Sequence, residues 1–291
     1  MTTQDLPVPG EITLPTPKVD IDLIRTHLKD HKWRLNNLYF IRDNKGNKVQ
    51  FRLNEAQTYM IENLWYMNII VKARKLGLTT FFVMFYLDQI LWSENKMAGI
   101  IAHREEDMKR IFRNMILFAY NNLHPWIKEL IGDPTVETAN ELVFKNGGNI
   151  FTSLSTRGGT PNFLHISEYG YICAHDPHKA DEILHGAINS VAAGQMVSIE
   201  STAEGREGHF YRLLMDAENK RKAGQRLTEL YFKSFFFPWW MDPQYCLSED
   251  VPVLINTEMQ QYFNLLENIH KIKLSKGQKY WYIKKRETVS D

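Results

Sequence analysis

The strongest chemical signal in the sequence is a short basic segment, residues 72–80 (KARKLGLTT), which follows an apolar stretch. A strand that runs into a short loop and then a helix can bind phosphate, because loop N–H groups and the helix N-terminus attract an anion. The usual phosphate loop reads G-x-x-x-x-G-K-[ST]. Here Gly77 and Thr79 fit, whereas Lys72 and Leu78 replace the first glycine and the lysine. A solvated basic turn is the alternative interpretation.

The loop still holds the groups that a bound nucleotide needs. Its three cations can share the contact with the γ-phosphate, and an arginine can bind two phosphate oxygens at once. The Thr79 hydroxyl can bind Mg²⁺. We therefore predict a nucleotide site formed by Lys72, Arg74, Lys75, Gly77, Leu78, Thr79 and Thr80.

A second apolar stretch, residues 163–166, ends at Ser167 and Glu168. ATP hydrolysis needs a group that orients the attacking water, and a carboxylate at the end of a strand suits that role. We predict that Glu168 is catalytic. Ser167 stands where an aspartate is usual and would help to hold Mg²⁺ through water. A strand that ends in a solvated glutamate is the alternative.

Two weaker signals complete the predicted site. Residues 197–205 form a third strand that ends in hydroxyl and carboxylate groups, and we expect Ser201 and Thr202 to sense the γ-phosphate. Gln57 precedes the phosphate-loop strand, and its amide can both donate to and accept from the edge of an adenine.

The surrounding pattern alternates strands with helices, which predicts an α/β fold. We expect a mostly parallel sheet of the P-loop NTPase type with helices on both faces. The Asn146-Gly147-Gly148 turn predicts a hairpin between 141–145 and 149–154. The other predicted strands are 67–73, 97–102, 163–166, 196–200 and 227–237, and the predicted helices are 21–31, 55–66, 79–92, 105–120, 176–193, 209–223, 257–268 and 275–287.

We divide the chain into three parts. The proline-rich residues 1–20 are expected to be a flexible arm without a signal peptide. Residues 21–237 form the ATPase domain, and residues 238–291 form a small helical linker or lid subdomain, in which Ser275 is a candidate N-cap.

The composition agrees with a globular protein outside the membrane. Hydrophobic residues make up 44% of the chain, and no apolar run approaches the ~18 residues that span a bilayer. The net charge of +1 does not by itself predict a nucleic-acid partner. Two cysteines fit a reducing compartment. A zinc site is disfavoured because its candidate ligands are irregularly spaced: Cys173, His175, His178 and His185.

Four segments, in this order, resemble the large terminase subunits of tailed phages. They are 53–57, the loop 72–80, the strand 164–168 and SIESTAEG at 198–205. Segments 99–106 and 237–239 and the helix with Gln278 and Trp281 are also similar, so the resemblance covers residues 45–287. Leu78 and Ser167 depart from members of the family that keep lysine and aspartate at these positions.

The resemblance implies a motor that hydrolyses ATP with Mg²⁺ and moves double-stranded DNA into a procapsid in the host cell cytoplasm. It implies a homo-oligomeric ring of five subunits, together with a portal protein and a small terminase subunit. Arg157, on the loop 155–160, would then act as an arginine finger on a neighbouring subunit, with Arg104 as the rival. The family continues into a nuclease domain, and we expect none within these 291 residues.

Two other functions fit parts of the pattern. A nucleic-acid helicase has a similar core but usually pairs two motor domains. A non-catalytic nucleotide-binding scaffold would explain Leu78 and Ser167 but not Glu168. The basic residues of 271–286 suit either DNA phosphates or a solvated helix face, and Trp239 and Trp240 suit either base stacking or burial under the C-terminal helices.

Overall fold

The computed structural model describes residues 26–155, 160–250 and 253–288, so the predicted arm and Arg157 lie outside the described residues. In chain order the strands are β1 Phe40–Arg42, β2 Lys48–Gln50, β3 Met67–Lys72, β4 Met97–Ile101, β5 Val136–Glu137, β6 Glu141–Val143, β7 Asn149–Ser153, β8 Phe163–Ser167, β9 Met196–Ser201 and β10 Phe232–Phe237. The α-helices are α1 His31–Leu38, α2 Glu55–Asn63, α3 Leu78–Trp92, α4 Glu105–Ile111, α5 Phe118–Asn121, α6 Pro125–Ile131, α7 Tyr169–His175, α8 Pro177–Glu182, α9 Gly208–Lys222, α10 Thr257–His270 and α11 Lys276–Glu287.

Eight strands form one sheet in the order β10-β3-β9-β8-β4-β7-β6-β5. Neighbouring strands from β10 to β7 are parallel, and β6 and β5 extend the sheet as antiparallel strands. The predicted α/β fold and the predicted hairpin, now β6–β7, are both confirmed. Strands β1 and β2 form a separate antiparallel pair.

Both faces of the sheet are covered, because successive side chains of a strand point to opposite sides. On β3, Ile70 packs into a cluster with α1 to α6, whereas Ile69 packs into a second cluster with α7, α8 and α9. This arrangement explains why the central strands are apolar along their whole length rather than at alternate positions.

The helix after the phosphate loop, α3, is buried along most of its length. A helix that is apolar on every side belongs in the interior of a domain. The Tyr86 hydroxyl lies 3.1 Å from both the Leu164 carbonyl oxygen and the Ser198 hydroxyl, which fixes the helix over β8 and β9.

A buried ionic network joins α3 to the N-terminal part of the fold. Arg34 donates to both carboxylate oxygens of Asp88 at 2.8 and 2.6 Å, and the Tyr39 hydroxyl donates to the same carboxylate at 2.8 Å. The Arg34 guanidinium also lies 5.1 Å from the centre of the Trp92 ring. Each charge therefore has a partner, as burial of an ion pair requires.

The C-terminal helices have an apolar cluster of their own, centred on Met259, Phe263, Leu274 and Ile283. Ser275 caps α11 as predicted, and Gln278 completes a capping box with it. Trp239 and Trp240 pack against this cluster, in agreement with burial under the C-terminal helices.

Several predicted elements differ from the structure. In the described part of the helix predicted at 21–31, the helix is broken at Lys29 and Asp30, and α1 begins only at His31. The helix predicted at 105–120 is interrupted by a π-helical segment, Phe112–Leu117. The helix predicted at 176–193 changes after Glu182 into π-helical and 3-10 turns that end at Ser190. The strand predicted at 227–237 begins only at Phe232, because Tyr231 N–H donates to the Thr228 carbonyl in a turn. Among the described residues, no helix is long and apolar enough to cross a bilayer.

Candidate nucleotide site

The predicted site residues meet where three neighbouring parallel strands end. Register pairs Val71 with Ser201 and Ser167 with Glu200, so the carboxyl ends of β3, β9 and β8 lie side by side. In open α/β sheets, ligands bind in the crevice outside this edge.

Lys72, the last residue of β3, is buried between two carboxylates. Its ammonium nitrogen lies 3.0 Å from Glu168 Oε1 and 2.8 Å from Glu200 Oε2. Glu200 is fully buried, whereas about a quarter of the Glu168 side chain is exposed. The cluster thus holds one positive and two negative side chains.

Glu200 is the site residue that the sequence-based prediction left unassigned. Its Oε1 accepts hydrogen bonds from the Thr79 hydroxyl at 2.7 Å and the Ser167 hydroxyl at 2.9 Å. The strand ending near residue 200 was visible in the sequence. Its insertion between β3 and β8, which brings Glu200 to Lys72, was not.

Glu168 follows β8 directly and adopts a left-handed backbone conformation, with φ 56° and ψ 42°. Such a conformation is uncommon outside glycine, asparagine and aspartate, and it is a feature of functional sites. Burial alone would raise the pKa of the Glu168 carboxyl, but the charge of Lys72 and hydrogen bonds from Lys72 and the Thr202 N–H hold it below its ordinary value. The carboxylate therefore stays ionised at neutral pH.

The two predicted phosphate sensors contact Glu168 in this structure. The Ser201 hydroxyl lies 3.4 Å from Glu168 Oε2, and the N–H of Thr202 lies 3.3 Å from the same oxygen. They fix the carboxylate in position. Their response to a γ-phosphate stays a prediction.

Below the carboxylates lies a buried histidine. His165 Nε2 is 3.5 Å from Glu200 Oε1. Complete burial, together with the charge of Lys72, lowers the pKa of His165 to about 3. Its ring is neutral at physiological pH and adds no positive charge to the cluster.

The phosphate loop is shaped by bonds to its carbonyl groups. The Arg74 carbonyl accepts from the Tyr245 hydroxyl at 2.6 Å, the Leu76 carbonyl from Asn54 Nδ2 at 3.1 Å, and the Gly77 carbonyl from Gln57 Nε2 at 2.8 Å. Each of these three loop carbonyls is therefore drawn toward a side chain from another part of the fold.

The N–H groups of the loop are oriented as a consequence. The described peptide bonds are all trans, and in a trans peptide the N–H points opposite to the preceding carbonyl. The N–H groups of Lys75, Gly77 and Leu78 therefore point away from those side chains. Lys75 and Gly77 have positive φ values of 64° and 71°, and alternation of right- and left-handed residues is a backbone form that can bind anions.

The same three residues line a cleft of about 240 Å³. Of the three predicted phosphate cations, Lys72 and Lys75 line it, whereas the exposed Arg74 does not. The cleft is also lined by Asn44, Thr79, Thr80, Ala102, His103, Asp107, Arg110, Ile111, Met115, Ser167 and Glu168. The Leu78 side chain is buried in the core.

Gln57 is occupied by the loop itself. Its amide oxygen accepts from the Asn54 N–H at 3.0 Å, and its nitrogen holds the Gly77 carbonyl. A side chain at position 77 would lie 2.7 Å from that nitrogen, which explains why glycine stands there. Recognition of adenine by Gln57 stays a prediction.

Arg104, the rival finger, is engaged within its own chain. Its guanidinium donates to the Tyr171 hydroxyl at 2.6 Å and lies 5.3 Å from the centre of the Tyr171 ring. His175 stacks on that ring, with the centres 4.0 Å apart. The described residues contain no group of three or more His, Cys, Asp or Glu side chains placed to bind one metal ion.

The oxygen atoms around Glu200 fit a magnesium ion bound together with a nucleotide. Mg²⁺ prefers one or two carboxylates and hydroxyl or phosphate oxygens. Glu200 brings the charge that Ser167 lacks, and both predicted metal ligands, Thr79 and Ser167, already hydrogen-bond to it. The single lysine leaves the pair of carboxylates with excess negative charge.

Comparison with known proteins identifies the fold. No protein-family model matches the sequence, and no curated protein matches it. The HK97 bacteriophage large terminase is 13% identical, with a TM-score of 0.59 over 90% of this chain and 52% of that chain. An arginine-to-alanine variant of the Thermus phage P74-26 large terminase ATPase domain is 15% identical, with a TM-score of 0.51 over 75% of this chain and 91% of that chain. This chain therefore has the fold of phage large terminase ATPase domains and spans about half of the HK97 protein.

Proposed function

We propose that the protein is an ATPase that binds ATP with Mg²⁺ at the loop 73–77 and hydrolyses it with Glu168. The observation that carries this proposal is the loop, whose carbonyls are held by Tyr245, Asn54 and Gln57. The opposite N–H groups, of Lys75, Gly77 and Leu78, therefore point away from those side chains, and these three residues line the cleft. A loop built in this way offers positive charge to a phosphate chain without a lysine at position 78.

Each charged side chain then has a role. Lys72 and Lys75 contact phosphate oxygens, and Lys72 keeps Glu168 ionised and in place. Glu168 accepts a hydrogen bond from the attacking water and orients it toward the γ-phosphate. Thr79, Glu200 and Ser167 would hold the magnesium ion, which neutralises charge on the phosphates when bound. Ser201 and Thr202 contact Glu168, so a shift of this carboxylate on loss of the γ-phosphate would move the loop after β9.

The wider role that we propose is translocation of double-stranded DNA into a procapsid. The shared fold with large terminase ATPase domains supports this role. The partners would be a portal protein and a small terminase subunit, with several copies of this chain in a ring. Arg157 of one subunit would then stabilise charge on the transferred phosphoryl group of the next.

The first test is ATP turnover with and without double-stranded DNA. We expect Mg²⁺-dependent turnover that DNA stimulates, while Glu168→Gln binds ATP without hydrolysing it. Glu182→Gln, on the α8 helix away from the cleft lining, is the matched control. Absence of ATP binding in the wild type would exclude an ATPase. Binding without turnover in assembled rings would favour the scaffold function instead.

Mixed rings test the predicted arginine finger. Arg157→Ala and Glu168→Gln subunits should each be inactive alone. Mixed together, some sites keep Glu168 and receive Arg157 from a neighbour, so turnover should return. If mixed rings form and remain inactive, Arg157 does not act between subunits, and Arg104→Ala becomes the variant to test.

A further inference from the structure

The segment before α10 reaches back to the phosphate loop through one tyrosine. Tyr245 donates its hydroxyl proton to the Arg74 carbonyl at 2.6 Å. A turn built on Asp242 sets the position of this tyrosine, because the Tyr245 N–H donates to the Asp242 carbonyl at 3.0 Å and the Gln244 N–H to the Asp242 carboxylate at 2.9 Å.

The ring of Tyr245 is the end of a column of five stacked aromatic rings. Tyr245 stacks on Trp281 with centres 4.3 Å apart and planes 11° apart. The column continues from Trp281 to Trp239 at 5.5 Å, to Tyr282 at 5.3 Å and to Tyr262 at 5.0 Å. It therefore connects α10, α11 and the 3-10 turn at Trp239 with the loop. The column is defined by these five rings.

Helix α11 and the segment that carries Tyr245 are also joined by two hydrogen bonds. Gln278 Nε2 donates to the Trp240 carbonyl at 2.9 Å, and the Leu247 N–H donates to the Gly277 carbonyl at 3.0 Å. A side chain at position 277 would meet the Leu247 carbonyl at 2.4 Å, so the contact needs glycine. Tyr245 cannot move far from the loop unless α11 moves with it.

The three held carbonyls differ in what holds them. The Leu76 and Gly77 carbonyls accept hydrogen bonds from the start of α2, which covers the sheet. The Arg74 carbonyl accepts its hydrogen bond from Tyr245, in the C-terminal segment. The peptide from Arg74 to Lys75 is rigid and planar, so the tyrosine that holds its carbonyl also sets the direction of the Lys75 N–H. A bound phosphate acts on that same N–H.

We infer that Tyr245 is a positioning residue that couples phosphate binding at the loop to the packing of the aromatic column and α11. The inference rests on the proposed function, since it assumes that a polyphosphate binds at 73–77. Phosphate binding and column packing both act on the orientation of one peptide, so each changes the free energy of the other. Phosphate binding at the loop thus affects the packing of the C-terminal helices through a backbone carbonyl rather than through a charged side chain.

Hydrogen–deuterium exchange on the full chain tests this coupling, with Mg-ATP and inorganic tripolyphosphate as probes. Tyr245→Phe removes the hydroxyl and keeps the ring stack, and Trp281→Leu removes the stack and keeps the hydroxyl. Tyr231→Phe is the matched control, because Tyr231 lies at the amino end of β10, whereas the loop follows the carboxyl end of β3, and the Tyr231 ring packs under Lys220.

In the wild type, either probe should slow exchange in 73–77 and also in 276–287. In Tyr245→Phe and Trp281→Leu, protection of 73–77 should persist while protection of 276–287 is lost. Loss of one hydrogen bond that orients the loop should weaken tripolyphosphate binding by about fivefold in Tyr245→Phe. Tyr231→Phe should behave as the wild type does.

The outcomes separate the two claims. Protection of 276–287 that is equal in Tyr245→Phe and the wild type would overturn the coupling and leave the ATPase proposal intact. The same holds if Tyr231→Phe loses that protection as completely as Tyr245→Phe. Absence of protection at 73–77 in the wild type would overturn the proposed function and the inference together.

Discussion

Two buried ionic networks in this protein differ in their balance of charge. In the first, Arg34 faces Asp88 one to one, and Tyr39 completes the hydrogen bonding of the carboxylate. In the second, Lys72 alone lies between Glu168 and Glu200. The first network is buried between α1 and α3, away from solvent. In the second network, Lys72 and Glu168 line the cleft.

The difference supports the proposed distinction between a structural network and a functional one. A balanced, fully hydrogen-bonded pair has no reason to bind anything further, and breaking it leaves an uncompensated charge in the core. An excess carboxylate at the edge of a cleft attracts a cation from solution, at the expense of some stability before the cation arrives. The excess negative charge of the second network therefore supports its proposed role in ATP hydrolysis.

The largest expected effect is on catalysis. Glu168→Gln should lower the rate of ATP hydrolysis by about 10³-fold or more, because the amide no longer orients water as a charged acceptor. ATP affinity, measured by calorimetry, should stay within about threefold of the wild type. If Glu168→Gln hydrolysed ATP at the wild-type rate, Glu168 would have no part in the reaction. The proposed function of the unbalanced network would then be wrong.

The balanced network should dominate stability. Asp88→Asn leaves Arg34 buried without a carboxylate and should lower the free energy of unfolding by about 3 kcal/mol, measured by urea denaturation. Asp216→Asn is the control, since its partner Lys220 lies four residues away on the exposed face of α9, and it should change stability by less than about 0.5 kcal/mol. Equal effects of the two variants would mean that burial of the pair does not matter.

The unbalanced network should tolerate the loss of one carboxylate. Glu200→Gln leaves Lys72 paired with Glu168, so we expect a smaller loss of stability than in Asp88→Asn. The Mg²⁺ concentration for half-maximal ATP turnover should rise about tenfold, because a charged metal-site residue is lost. A Mg²⁺ titration of turnover measures this effect. An unchanged Mg²⁺ requirement would contradict a role for Glu200 in holding the ion.

The smallest effect is a dependence of stability on pH through His165. Its pKa falls from 6.5 to about 3 on folding, so the unfolded chain binds more protons below pH 6.5, and stability falls as the pH falls toward 3. From this group alone, the free energy of unfolding should be about 0.8 kcal/mol lower at pH 6.0 than at pH 7.5. His165→Gln should remove that difference, whereas the exposed His178→Gln should not.

Local signals in the sequence predicted the elements that form the cleft. The apolar stretch before Lys72 and the one before Glu168 each became a strand, because both are long enough and end in polar residues. The contacts among site residues were not predictable in the same way. Glu200 reaches Lys72 only because β9 inserts between β3 and β8, and Tyr245 reaches Arg74 from 171 residues away. Neither contact can be predicted from the spacing of residues in a single sequence.

The backbone at Glu168 has a consequence for how this protein would change under selection. A left-handed conformation costs a residue with a long side chain about 1 kcal/mol that glycine avoids and asparagine reduces. Selection for thermal stability alone would therefore favour glycine or asparagine at position 168. The resulting protein would be more stable but would lack the carboxylate that we propose orients water. Retention of glutamate there in variants evolved under a requirement for activity would show that selection opposes the preference of the backbone.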